Sequence, residues 1–177
     1  MRNHLLARLA VLATLTLSAS PVLAQVSGEV FSGFSSGSDQ PINIEADRLE
    51  VRDPEKLAIY TGNVNVEQAG TIMKTTELRV LYTGEASNGA PGSSVDRIEA
   101  GSPVLVQSGD QTATGERAVF EMQKDLVTLS GDVVLTQGDN VVRGERLVVD
   151  LNTQQARIEG GRVQTILAPQ SNRDAGQ

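Results

Sequence analysis

Gly33-Phe34-Ser35-Ser36-Gly37 has the G-x-S-x-G spacing that presents a nucleophilic serine when it sits between a strand and a helix. Such a serine needs a histidine to take its proton. The only histidine is His4, inside a segment that reads as a removable leader, so the match is accidental. Asp47, Glu116 and Glu145 are carboxylates of the type that share acid and base work in glycoside cleavage. They recur as marks of a repeat, however, whereas catalytic acids usually appear once. A β-solenoid polysaccharide-active enzyme therefore stands as an alternative that turnover of a bacterial glycan would revive. With no cysteine there are no disulfides, thiolate zinc sites or thiol nucleophiles. The aspartates lack the spacing of a calcium loop. No metal or cofactor is expected, and no enzymatic activity.

The 177 residues suggest one domain large enough to bury a core. Lys and Arg number 15 against 22 Asp and Glu, an acidic balance that argues against nucleic acid, whose phosphates need clustered cations. Residues 1–24 read as a secretory signal peptide. Arg2 and Arg8 open it, Leu9 to Leu17 is apolar, and Val22-Leu23-Ala24 is a small-residue cleavage site before Gln25. A membrane anchor needs about 20 consecutive apolar residues, and Thr14, Thr16, Ser18, Ser20 and Pro21 interrupt this run. Cleavage would leave a net charge of −9 over 153 residues. The expected product is exported. Residues 25–40 are rich in Ser and Gly and read as a flexible segment, and residues 169–177 as a polar, disordered tail.

Between them, residues 41–168 read as strand. Eighteen valines follow position 24, and β-branched side chains favour a pleated surface. Apolar and polar residues alternate in Ile42-Asn43-Ile44, Val64-Asn65-Val66 and Ala118 to Met122. No stretch carries a helical stripe. At Leu78-Arg79-Val80-Leu81-Tyr82 the inward parity is ambiguous, and the loop over 84–94 has no evident role. Two out-of-phase series share one period. Glycines precede valine at Gly62, Gly101, Gly131 and Gly161, spaced 39, 30 and 30 residues; acids followed by arginine or leucine fall at Asp47, Glu77, Glu116 and Glu145, spaced 30, 39 and 29. Repeats of this size cannot bury an apolar face alone but can when stacked into two facing sheets. The glycines suit bends at a corner. The acids and the arginines beside them could pair on the outside, or simply be solvated. Such an assembly has open ends that expose unpaired backbone.

Asp39-Gln40-Pro41-Ile42-Asn43-Ile44-Glu45-Ala46-Asp47 resembles the opening of the OstA-like domain. The match continues through Thr61-Gly62-Asn63-Val64, Gly101-Ser102-Pro103-Val104, Leu129 to Val133 and Gly144 to Leu151. With its leader and short tail the chain is similar to the LptA family of periplasmic lipopolysaccharide-transport proteins. The resemblance implies an all-β fold, a twisted β-jellyroll of stacked antiparallel strands open at both ends. It also implies a periplasmic bridge that shields acyl chains and passes lipopolysaccharide from inner to outer membrane. An LptC-like inner-membrane partner would meet the N-terminal edge, near Ile42 to Val51. An LptD-like outer-membrane partner would meet the C-terminal edge, near Val163 to Leu167. Strand addition at such edges joins proteins head to tail, so homo-oligomers growing with concentration are expected.

A chain of about a dozen carbons costs roughly 10 kcal/mol to expose, at about 0.8 per methylene. A carrier needs a dry, aliphatic, weakly discriminating slot. Matching the family's lipid contacts onto this chain selects Ile42, Val106, Phe120 and Met122, with Val106 standing where the family has an aromatic. Alternation adds Ile44, Tyr60, Val64, Val66, Leu135, Val149 and Leu151. Plain core packing would explain each of them equally. An LptC-like membrane-anchored component of the same pathway remains an alternative, which the native N-terminus decides: Gln25 for the carrier, Met1 for the anchored protein. A structural β-helix polymer of the bactofilin kind is a further alternative, disfavoured by the leader.

Overall fold

The computed structural model describes residues 31, 33–34, 39–85 and 94–169. The leader, Ser35 of the G-x-S-x-G match, most of the 84–94 loop and the last eight residues lie outside the described residues. Twelve strands follow in chain order: β1 (Asn43–Glu45), β2 (Arg48–Arg52), β3 (Leu57–Gln68), β4 (Thr71–Thr83), β5 (Ser94–Ala100), β6 (Val104–Ser108), β7 (Gln111–Gly115), β8 (Arg117–Glu121), β9 (Leu126–Gln137), β10 (Asn140–Asp150), β11 (Gln155–Glu159) and β12 (Gln164–Ile166). All described pairings are antiparallel. They join the strands into one twelve-stranded sheet.

That sheet is folded lengthwise into two arms by its four long strands. The first half of β4 pairs β6 over Thr71 to Lys74, and its second half pairs β5 over Leu78 to Thr83. In β9, Leu126 to Ser130 pair β8 while Val134 to Gln137 pair β7. β10 divides likewise between β12 and β11, and β3 between β1 and β2. One arm therefore runs β1, β3, β4, β6, β7, β9, β10, β12, and the other β2, β3, β4, β5, β8, β9, β10, β11. Alternate side chains from both arms meet in a single core. The antiparallel jellyroll expected from the sequence is present.

The two repeat series turn out to be halves of one device at the corner. Gly62 and Asn63 bend β3 with φ of +80° and +44°, and Gly131 and Asp132 bend β9 with +83° and +45°. A positive φ is costly to a residue with a Cβ, which is why glycine leads each pair. The acid of the preceding repeat lies over each glycine. A β-carbon on Gly131 would stand 2.6 Å from Glu116, one on Gly160 2.8 Å from Glu145, and one on Gly62 against Asp47. Backbone bonds stitch the same corners: Asp47 N–H to Gly62 O (2.9 Å), Gly101 N–H to Glu77 O (2.9 Å) and Glu116 N–H to Ser130 O (2.9 Å). Asn63 Nδ2 also donates to Asp47 Oδ2 at 2.9 Å. Of the arginines beside the acids, Arg146 reaches Glu159 across β10 and β11 at 3.8 Å. The corner glycines are the ones expected from the sequence, except that Gly101 has no positive φ and Gly160 shares the final corner with Gly161.

Candidate lipid-binding interior

Strand alternation aims one face of each arm at the other, and the enclosed surface is almost purely hydrocarbon. Tyr60, Val64, Val66, Val106, Phe120, Leu135 and Val149 are buried, and Ile42, Ile44, Met122 and Leu151 pack against that core while partly exposed. All eleven candidates thus face the space between the arms. Val64, Val66, Val106 and Leu135 come from one arm and Tyr60, Phe120 and Val149 from the other. Sequence reasoning left out equally buried neighbours, among them Met73, Leu78, Val80, Tyr82, Ile98 and Leu129.

The ambiguous stretch in β4 resolves to Leu78, Val80 and Tyr82 inward, with Arg79 and Leu81 outward. Tyr82 keeps its hydroxyl satisfied at the margin by donating to Asp53 Oδ1 at 3.2 Å. Burial pushes the Tyr60 phenol above its ordinary range, so it stays neutral.

Two further contributors come from outside the sheet. Phe31 and Phe34 are 0 % and 5 % exposed. Their rings sit edge-on to Phe120, with centroids 5.9 and 5.4 Å away. The serines and glycines around them gave no sign of this, since composition reports what surrounds a ring and not what the ring can reach. Beside Phe34 a gap of ≈ 10 Å³ is left between Ile42, Val66, Gln68, Met73, Ile98, Phe120 and Met122. That is at the lower limit for one water.

No Asp, Glu, Lys or Arg is buried among the described residues; the buried polar side chains are Gln68, Thr71, Thr75 and Gln111. Gln68 and Thr71 flank the β3–β4 hairpin, and Thr71 donates to Ser108 Oγ at 3.1 Å. No group of three or more His, Cys, Asp or Glu among the described residues could hold a metal ion. Among the described residues the interior surface is hydrocarbon apart from the Gln68, Thr71, Thr75 and Gln111 side chains and the hydroxyls of Tyr60 and Tyr82.

Among the described residues, charge is confined to the outside. Lys124 donates to Glu121 Oε1 at 2.7 Å and holds that carboxyl below its ordinary 4.5, with Arg97 adding to the effect. The Thr153 N–H does the same for Asp150 at 2.9 Å. A carboxylate whose folded pKa is depressed stabilises above its unfolded value and loses that contribution as pH falls through the folded one. Thermal melting is therefore expected to drop below about pH 4.5. In Glu121→Gln that acid limb should be shallower, by less than about 1 kcal/mol for so exposed a pair. Identical limbs in melts from neutral pH downward would count against this assignment.

Residues 43–155 match the family model described as LptA/(LptD N-terminal domain) LPS transport protein. The chain belongs to this family. An uncharacterised protein of Rhizobium meliloti (strain 1021) is 41 % identical over 162 residues, 89 % of this chain and 87 % of that one. Among solved structures, LptH of Pseudomonas aeruginosa, described as the LptA-homologous periplasmic component of the lipopolysaccharide transport device, superposes with a TM-score of 0.63. The superposition spans 76 % of this chain and 99 % of LptH at 20 % sequence identity, a likeness of fold. The LptA/LptD N-terminal family accounts for the folded sheet and its two arms, and its name places the chain in lipopolysaccharide transport.

Proposed function

We propose that this protein is a periplasmic, non-enzymatic carrier that shelters the acyl chains of lipopolysaccharide between its two arms and forms part of a bridge from inner to outer membrane. The observation that carries the reading is the interior itself: an apolar lining drawn from both arms and free of charge among the described residues, with the eleven candidates in it, in a member of a lipopolysaccharide-transport family. The family's lipid contacts, mapped to Ile42, Val106, Phe120 and Met122, support the same reading, as does the leader before Gln25.

The ends support a head-to-tail arrangement. β1 and β2 close one end and β11 and β12 the other. Among the described residues, the large apolar side chains left exposed are Leu49 at the first and Val163, Ile166 and Leu167 at the second. An LptC-like partner would add to the former, an LptD-like partner to the latter, and copies of the chain to each other.

A photo-crosslinking amino acid at Phe120 is expected to give lipopolysaccharide adducts in cells. The same probe at Glu121, on the opposite face of β8, is expected to give none, because successive strand residues point to opposite faces. Adducts at both positions or at neither would refute the interior as the lipid site.

A further inference from the structure

The rings of Phe31 and Phe34 fill a part of the interior beside Phe120 that the described strands leave open. Both lie ahead of β1, so no ladder of backbone bonds holds them in place, yet they are as deeply buried as the core valines. Gly33, between them, lies against the Thr71 side chain and the Gln68 carbonyl so closely that a β-carbon would collide with both. The segment thus enters over the β3–β4 hairpin. At that entry the packing is imperfect: Gln68 Oε1 is buried without a hydrogen-bond partner, although its Nε2 donates to Gln40 O at 2.9 Å. The remaining gap opens beside Phe34 and Phe120. With the rings seated, the ≈ 10 Å³ left there has no room for a hydrocarbon chain.

We infer that Phe31 and Phe34 stand in for acyl chains in the empty protein: they occupy a lipid subsite beside Phe120 and leave it when lipid binds. This rests on the proposed carrier function. Two phenyl rings supply the apolar surface that an empty cleft would otherwise expose to water. They also tax every binding event, because apparent affinity falls by the fraction of molecules in which the site is free. A carrier that must release its cargo to the next protein gains from such a tax.

The test uses protein purified from the periplasmic fraction and a BODIPY-labelled lipopolysaccharide as probe. Phe31→Ala with Phe34→Ala is expected to bind the probe about tenfold more tightly than wild type, as removal of a competing internal ligand requires. Gly33→Ala places a β-carbon against the Gln68 carbonyl and the Thr71 side chain, which unseats the rings without deleting them, and it is expected to tighten binding to a similar extent. Its thermal melt, compared with that of the wild type, controls for folding. Wild-type affinity in both the double-alanine variant and Gly33→Ala would overturn the inference while leaving the carrier function standing. Absence of probe binding in every form, the wild type included, would overturn the carrier function and the inference with it.

Discussion

Phe120→Ala is expected to cost about 3–5 kcal/mol of folding stability, the range for emptying a large aromatic site in a packed core. Against a total of about 5–15 kcal/mol for a domain, that is a major fraction. The position earns this because it joins three things. On β8, Phe120 lies opposite Ile98 of β5 and Val127 of β9. It faces the other arm across the residual gap lined by Val66 and Met73. Both Phe31 and Phe34 rest on its ring. Truncation would enlarge the gap and leave two phenyl rings without their platform. Val119, next on the same strand and pointing outward, supplies the comparison: its alanine variant should lose no more than about 1 kcal/mol, as a half-exposed site does. Urea unfolding of the two variants checks this, and equal midpoints would remove Phe120 from its place at the centre of the interior.

The second large effect concerns the corner. Gly131→Ala is expected to destabilise by about 2–4 kcal/mol, combining the cost of a left-handed backbone for a residue with a Cβ with collision against Glu116. Gly138→Ala separates the two contributions. Gly138 also has a positive φ, +55°, but nothing lies within 4 Å of where its β-carbon would be. Its variant should show only the backbone part, about 1–2 kcal/mol. Adding Glu116→Ala to Gly131→Ala should recover the collision part and leave the backbone part. If Gly131→Ala and Gly138→Ala melt alike, the acid does not press on the glycine, and the two repeat series are not one device.

Those series show how far the sequence can be read. Strands were legible because valine-rich alternation has a period of two wherever one face is buried. The corner was legible because glycine is needed where φ turns positive, and the acid recurs because it packs over that glycine. In three corners the acid precedes its glycine by 15 residues, at Gly62, Gly131 and Gly160. The 24 residues from Glu77 to Gly101 contain the 84–94 loop. That the two halves touch was not legible, since a period fixes spacing along the chain and says nothing of contact between chain segments.

The failure at 78–82 has a definite cause. Inward residues are Thr71, Met73 and Thr75 before the corner and Leu78, Val80 and Tyr82 after it, with Thr76 and Glu77 both exposed between. The parity changes as β4 passes from one arm to the other, so counting from either side contradicts the other. β3 keeps its parity through the corner because Gly62 and Asn63 together stand opposite Thr76 alone, so β3 takes up the one extra residue. Phe31 and Phe34 were illegible for another reason. Their position is set by an apolar cleft built from residues distant in the chain, and no periodicity in their own neighbours encodes it.

The corner also decides how the molecule can deform. Within either arm, inter-strand bonds run along the length of the molecule, from β1 and β2 toward β11 and β12, and none of the described strand pairings spans the space between arms. Spreading the arms is then a hinging motion about a spine of glycines, in which side chains lose contact across the interior while both ladders stay whole. Amide protons of β3, β4, β9 and β10 should accordingly exchange slowly in an opened molecule as in a closed one, while methyl resonances lining the interior shift.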